Sequence, residues 1–162
     1  MNTKQMLAHP AHLLALGFGS GLSPIAPGTI GTMWAWLSFV LLSSVLTEIQ
    51  WGILIVVSFF IGWWSCVVTA KNMGVADPGS IVWDEIVAFW LVLLVISPTG
   101  FWGQCLGFVL FRFFDAVKFG PVAWADQTFK GFGARGGFGI MFDDLVAAFC
   151  TLLLLALWRS IF

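Results

Sequence analysis

The chain alternates long apolar runs with short polar segments rich in glycine and acid. Uncharged stretches cover residues 33–47, 49–70, 86–111 and 145–158. A helix needs roughly 20 residues to cross a ~30 Å hydrocarbon core, and only 49–70 has that length as a bare run. The third stretch is interrupted by Ser97-Pro98-Thr99-Gly100, a turn signal that splits it into a helical hairpin. Each half of the hairpin approaches a full span only by extending into its charged neighbour, as 78–96 and 101–118. Pro78 suits the first helical position and Asp77 the N-cap before it. The last span is expected from about Ile140. The first is short from Met33, so it is tilted, re-entrant or begins nearer Gly28. The pattern predicts an all-α integral membrane bundle of about four or five spans or half-spans, forming one domain over residues 1–162.

Composition agrees with this reading. The chain is 60% hydrophobic and 9% charged, far from a soluble average and incompatible with disorder or a basic nucleic-acid-binding domain. Cys66, Cys105 and Cys150 are odd in number and lack CxxC spacing, which argues against a disulfide framework or a zinc site. The N-terminal apolar run is too brief for a signal peptide. A zigzag with the N-terminus inside places Lys4, Lys71, Arg112, Lys118, Lys130 and Arg135 on the cytoplasmic side and only Arg159 outside. The same orientation gathers the polar motif segments on the cytoplasmic face.

Charge changes the picture more than hydropathy does. Seven of the eight acids lie between Asp77 and Asp144. Asp84 and Glu85 open an apolar helix, where they suit either its dipole or a functional interior, and the second is favoured. Arg112, Asp115 and Lys118 recur every three residues, either as a self-neutralising trio or with Asp115 facing a metal and a cation facing phosphate. Asp143 and Asp144 follow Gly136-Gly137-Phe138-Gly139, which reads as a flexible turn before the last span. Carboxylates converging at a low-dielectric boundary repel one another unless protonated or bridged by a cation. Hard oxygen ligands, with histidines only far upstream, point to Mg²⁺ rather than zinc. The glycine-rich segment 17–32 is either a packing turn or an anion-holding loop at a helix start.

The stretches HLLALGFGSGLSPIAPGTIGT (12–32), DPGSIVWDEIVAFW (77–90), FRFFDAVK (111–118) and GGFGIMFDD (136–144) resemble the phosphatidylglycerophosphatase A family of bacterial membrane lipid phosphatases. The order and gaps match, and the likeness spans nearly the whole chain. It departs after Lys118, where Phe119 and Gly120 intervene before Pro121, and around residues 131–135, which look inserted. The resemblance implies Mg²⁺-dependent hydrolysis of phosphatidylglycerophosphate to phosphatidylglycerol and phosphate at the inner membrane.

On this reading Asp84, Glu85, Asp115, Asp143 and Asp144 are the catalytic and metal-binding acids, with Asp77 as an additional ligand. Gly28, Thr29, Thr32, Arg112 and Lys118 are the candidates for binding phosphate. His12 fits a structural role better than that of general acid. Expected partners are the phospholipid substrate and the membrane, not nucleic acid, with homo-oligomerisation left open. The main alternative is a small transporter or ion-binding membrane protein, disfavoured because its acids belong near mid-span. A subunit packed through Gly103 and Gly107 would leave the acids without a purpose.

Overall fold

The computed structural model describes residues 2–161. Among these residues all regular structure is helical. Two small helices, α1 (Thr3–Leu7) and α2 (Pro10–Ala15), lead through a 3-10 turn at Gly17–Leu22 into α3 (Pro27–Leu42). There follow α4 (Glu48–Met73), α5 (Trp83–Ile96), α6 (Phe101–Val117), α7 (Pro121–Thr128) and α8 (Gly133–Ile161). The five apolar segments of the sequence are thus α3, α4, α5, α6 and α8. The helices α4 and α8 are long and apolar enough to cross a membrane by length and composition.

The helix α5 is the centre of the bundle and packs against α3, α4, α6 and α8. Its apolar residues recur with no polar face, and Ile86, Val87, Ala88, Phe89, Val92 and Leu93 are all fully buried. A helix apolar on all sides must be covered on all sides. Indole N–H groups stitch the cover on. Trp83 donates to the Ser58 carbonyl of α4 at 3.0 Å, and Trp90 to the Ala35 carbonyl of α3 at 3.0 Å. Trp36 of α3 donates to Gln104 of α6 at 2.6 Å.

Three sequence expectations need correction. The first apolar helix begins at Pro27, as the option of a start near Gly28 allowed, but ends at Leu42, short of Thr47. The helix expected from Pro78 begins instead at Trp83, so Asp77 caps nothing. Backbone donors explain the delay: Ile81 N–H closes a turn on Pro78 O, and Val82 N–H is taken by Ala15 O of α2, both at 2.9 Å. The third correction concerns α8, which starts at Gly133 rather than near Ile140, so the Gly-Gly-Phe-Gly segment is helical and not a flexible turn.

Those glycines are there for close approach. A Cβ on Gly136 would overlap the Gly131 carbonyl, and one on Gly137 would overlap the Val67 side chain of α4. One on Gly139 would come 2.7 Å from Phe129 Cβ. Each lost side chain lets α8 settle against α4 and the segment leading out of α7. Trp63 locks the same contact by donating to Ala134 O at 2.7 Å.

Candidate active site

The start of α5, the end of α6 and the third turn of α8 converge at one end of the bundle. Glu85, Asp115 and Asp144 each direct a carboxylate oxygen to a common point, all within 4.8 Å of one another. Asp115 and Asp144 are buried, and the Glu85 side chain is 12% exposed. Asp84 Oδ1, Glu85 Oε2 and Asp144 Oδ2 are buried with no hydrogen-bond partner. Leaving a carboxylate oxygen unsatisfied in a protein interior is costly, and three together invite a cation. A hard divalent ion fits this all-oxygen donor set.

The helix dipole accounts for only part of the cluster. Asp84 and Glu85 do occupy the first turn of α5. Asp143 and Asp144 lie well inside α8, beyond the reach of its N-terminal charge, so the dipole does not explain them.

Arg112 supplies one counter-charge. Its Nη1 donates to Glu85 Oε1 at 3.0 Å and to Asp115 Oδ2 one turn along α6. It also approaches Thr32 Oγ1 of α3 at 3.4 Å. One guanidinium therefore ties three helices to the acid cluster.

Lys118 supplies the second counter-charge. It ends α6 in the left-handed conformation, φ 47°. Its ammonium donates to Asp143 Oδ2 at 2.6 Å and to Asp126 Oδ1 of α7 at 2.5 Å. Lys130 contacts the other Asp126 oxygen at 2.8 Å. Burial disfavours the Lys118 ammonium, but Asp143 and Asp126 outweigh it and hold its pKa above the ordinary value. Partial burial would raise the Asp126 carboxyl; hydrogen bonds from the two lysines hold it below the usual range. A cleft of about 280 Å³ opens here, lined by Asp77, Asp126, Lys130, Gly136 and Asp143 among others.

The structure thus gathers Glu85, Arg112, Asp115 and Asp144 into one group and Asp77 and Asp143 around the cleft, with Lys118 bonded to Asp143. Asp84 stands beside Glu85 at the start of α5, and Asp77 is exposed at the cleft rim. The glycine-rich segment is mostly packing. Cβ atoms on Gly17 and Gly21 would collide with Val82, Ile86 and the Ser80 carbonyl, and one on Gly28 with the Glu85 carboxylate. Thr32 is buried and donates to Gly28 O at 2.8 Å, while Thr29 is half-buried in the first turn of α3.

His12 lies elsewhere, between Thr69 Oγ1 (2.9 Å) and Asn72 Nδ2 (3.1 Å) of α4. The amide donates to Nε2, so Nδ1 carries the hydrogen and donates to Thr69. Asp126 is the site residue that sequence reasoning passed over. Its spacing of four from Lys130 was the available signal.

Residues 13–159 match the family model for phosphatidylglycerophosphatase A. The chain belongs to that family, a group of phosphoric monoester hydrolases. The phosphatidylglycerophosphatase A of Escherichia coli K12 is 44% identical over 141 residues, covering 87% of this chain and 78% of its own. That of Haemophilus influenzae is 42% identical over 145 residues, covering 90% and 86%. A Bacteroides thetaiotaomicron relative, 36% identical over 154 residues and 91% and 92% covered, bears a name that only suggests a phosphatidylinositol-3-phosphatase. No solved structure matches the chain.

Proposed function

We propose that the protein hydrolyses the terminal phosphomonoester of phosphatidylglycerophosphate, releasing phosphatidylglycerol and phosphate, at the cytoplasmic face of a bacterial inner membrane. The observation that carries this reading is the convergence of Glu85, Asp115 and Asp144, with orphaned buried oxygens, in a chain of this family. A phosphate dianion cannot approach such a cluster unless cations offset it.

Mg²⁺ held by Glu85, Asp115 and Asp144, with Asp84 beside Glu85 and Asp143 and Asp77 on the cleft side, would neutralise phosphate charge and acidify the attacking water. The remaining work falls to the protein. Arg112 pairs with the phosphoryl oxygens as charge builds on them, its planar fork matching their geometry. Asp84 Oδ1, buried and unpartnered, takes up the proton of the attacking water. The water oxygen bonds to phosphorus as the P–O ester bond breaks, and the glycerol oxygen leaves with a proton that Asp84 gives up through solvent, restoring its carboxylate. Gly28 and Gly31 keep the start of α3 close enough to press on Glu85 and fix its orientation.

The apolar surface supports a multi-pass bundle. Ile49, Ile53, Val56, Phe60 and Trp64 are exposed along one side of α4, and Phe149, Leu153, Leu157 and Trp158 along α8. On α3 and α6, Leu37, Leu41, Trp102, Leu106, Val109 and Phe113 continue the belt. Patches of this extent on a monomer face lipid or protein, and they encircle the bundle as lipid would.

The test is phosphate release by purified protein in detergent micelles of phosphatidylglycerophosphate. Activity should require Mg²⁺ and vanish with EDTA. EDTA-insensitive release would refute the cation assignment, and no release with Mg²⁺ would refute the hydrolase reading. Phosphatidylinositol 3-phosphate, offered in parallel, should be the poorer substrate.

A further inference from the structure

The Lys118 ammonium carries three protons, and the structure commits two of them. One goes to Asp126 Oδ1 and one to Asp143 Oδ2. The third goes to neither acid, and both acids that hold the ammonium line the cleft. We propose that Asp126 is a positioning residue that acts through Lys118, holding its ammonium at the cleft mouth so that the third proton meets an incoming phosphate oxygen. The proposal rests on the phosphatase reading and gives the site a further residue.

Three observations carry it. The first is backbone conformation. Lys118 occupies a left-handed position after a helix end, where glycine is the favoured residue and a side chain is strained. Strain kept at such a position is compensated by what the side chain does.

The second is the mounting of Asp126. The helix α7 buries Val122 and Ala125 against the body, which places Asp126 beside that buried edge. Lys130 Nζ then occupies Oδ2, leaving Oδ1 to face Lys118. The third is geometry. Lys118 is a third exposed while Asp143 is nearly covered, so the ammonium reaches from the surface to a buried acid that lines the cleft. Without Asp126 it would collapse onto Asp143 alone or swing into solvent, because a lysine stem has four rotatable bonds.

The experiment is a double-mutant cycle on full-length protein in detergent with Mg²⁺, using Asp126→Asn, Lys118→Met and the pair. Inorganic phosphate is the probe, its Kd measured by isothermal titration. KM and kcat for phosphatidylglycerophosphate are measured alongside. Each single change should weaken phosphate binding about tenfold, the loss of one charge-assisted hydrogen bond. The pair should be no weaker than Lys118→Met alone, because Asp126 acts only through Lys118. Asp126→Glu should recover to within about threefold, a carboxylate being restored. KM should rise with kcat nearly constant.

Multiplying effects in the pair, or an Asp126→Asn Kd equal to the unaltered protein's, would overturn the proposal. Misfolding is separated by Lys118→Gly, which removes the ammonium and relieves the backbone. It should still unfold in one cooperative transition, at a lower temperature because buried Asp143 loses its counter-charge, and bind phosphate about tenfold more weakly. Normal phosphate binding by Lys118→Gly would also overturn it. If the unaltered protein releases no phosphate from the lipid yet the Kd cycle behaves as expected, the substrate assignment fails and the positioning role stands. If it binds no inorganic phosphate, the positioning role fails.

Discussion

Gly28 and Glu85 are so close that a methyl group on the glycine would overlap Glu85 Oε1. The glycine stands in the first turn of α3 and the glutamate in the first turn of α5. Two helix beginnings therefore share one point of space, and the carboxylate is wedged between them. The obstructing group is the far end of a flexible side chain, so Gly28→Ala should fold with only a modest loss of stability. The displaced carboxylate should lower turnover by about a hundredfold, as loss of ligand orientation does elsewhere. Circular dichroism melting and phosphate release on the same preparation separate the two effects.

Asp144→Asn should be inactive and more stable. The change removes one charge from a crowded, buried set of carboxylates whose oxygens lack partners. Like-charge repulsion and desolvation are thereby relieved, while an oxygen donor is weakened. In EDTA the variant should melt several degrees above the unaltered protein, with turnover down at least about a hundredfold.

Adding Mg²⁺ should raise the melting temperature of the unaltered protein, because an ion that binds only the folded form stabilises it by mass action. The rise should grow with the logarithm of Mg²⁺ concentration and disappear in Glu85→Gln and Asp144→Asn. A scan of melting temperature against metal concentration checks this with no substrate present.

His12 predicts a pH dependence. Burial, and then the nearby charge of His9, lower its pKa below the ordinary 6.5. The unfolded chain therefore takes up the proton first, so this contribution to stability is complete above pH 6.5 and declines as pH falls below it. Melting measured from pH 7.5 to 5 should show the decline. His12→Gln, which retains hydrogen-bonding capacity toward Thr69 and Asn72, should flatten it.

Gly137→Ala should loosen the seam between α4 and α8. The added methyl would overlap the Val67 side chain and press on Trp63 O at 3.2 Å, where one wall is rigid helical backbone. Overpacking of this kind costs about 1–3 kcal/mol. Melting temperature in detergent should fall accordingly, with KM for the lipid little affected.

The helices and the acids were legible in the sequence because each depends on local pattern. Apolar runs broken at Glu48 and Ser97–Gly100 became α3, α4, α5 and α6, with α4 starting at Glu48 and α6 just after Gly100. The starts of α5 and α8 were not legible, because tertiary contacts decide them. Val82 gives its N–H to Ala15, sixty-seven positions upstream in the chain, and that choice delays α5.

Gly136, Gly137 and Gly139 looked flexible by composition, yet the neighbours Gly131, Val67 and Phe129 make each a tight helical contact. Asp126 escaped notice because a lone acid in a polar stretch resembles any surface residue. Only the return of α6 and α8 to the same point brings Lys118 and Asp143 to meet it.

With the bundle placed in the membrane as proposed, the shortness of α5 has a consequence for the lipid. Its 14 residues measure about 21 Å, roughly 9 Å less than the hydrocarbon thickness of a bilayer. With its apolar end at the far interface, its acid-bearing end would sit beneath the plane of the near-side headgroups. The substrate would then need no lifting out of the membrane: its headgroup would fold downward into a dent in the bilayer, with the acyl chains left among their neighbours.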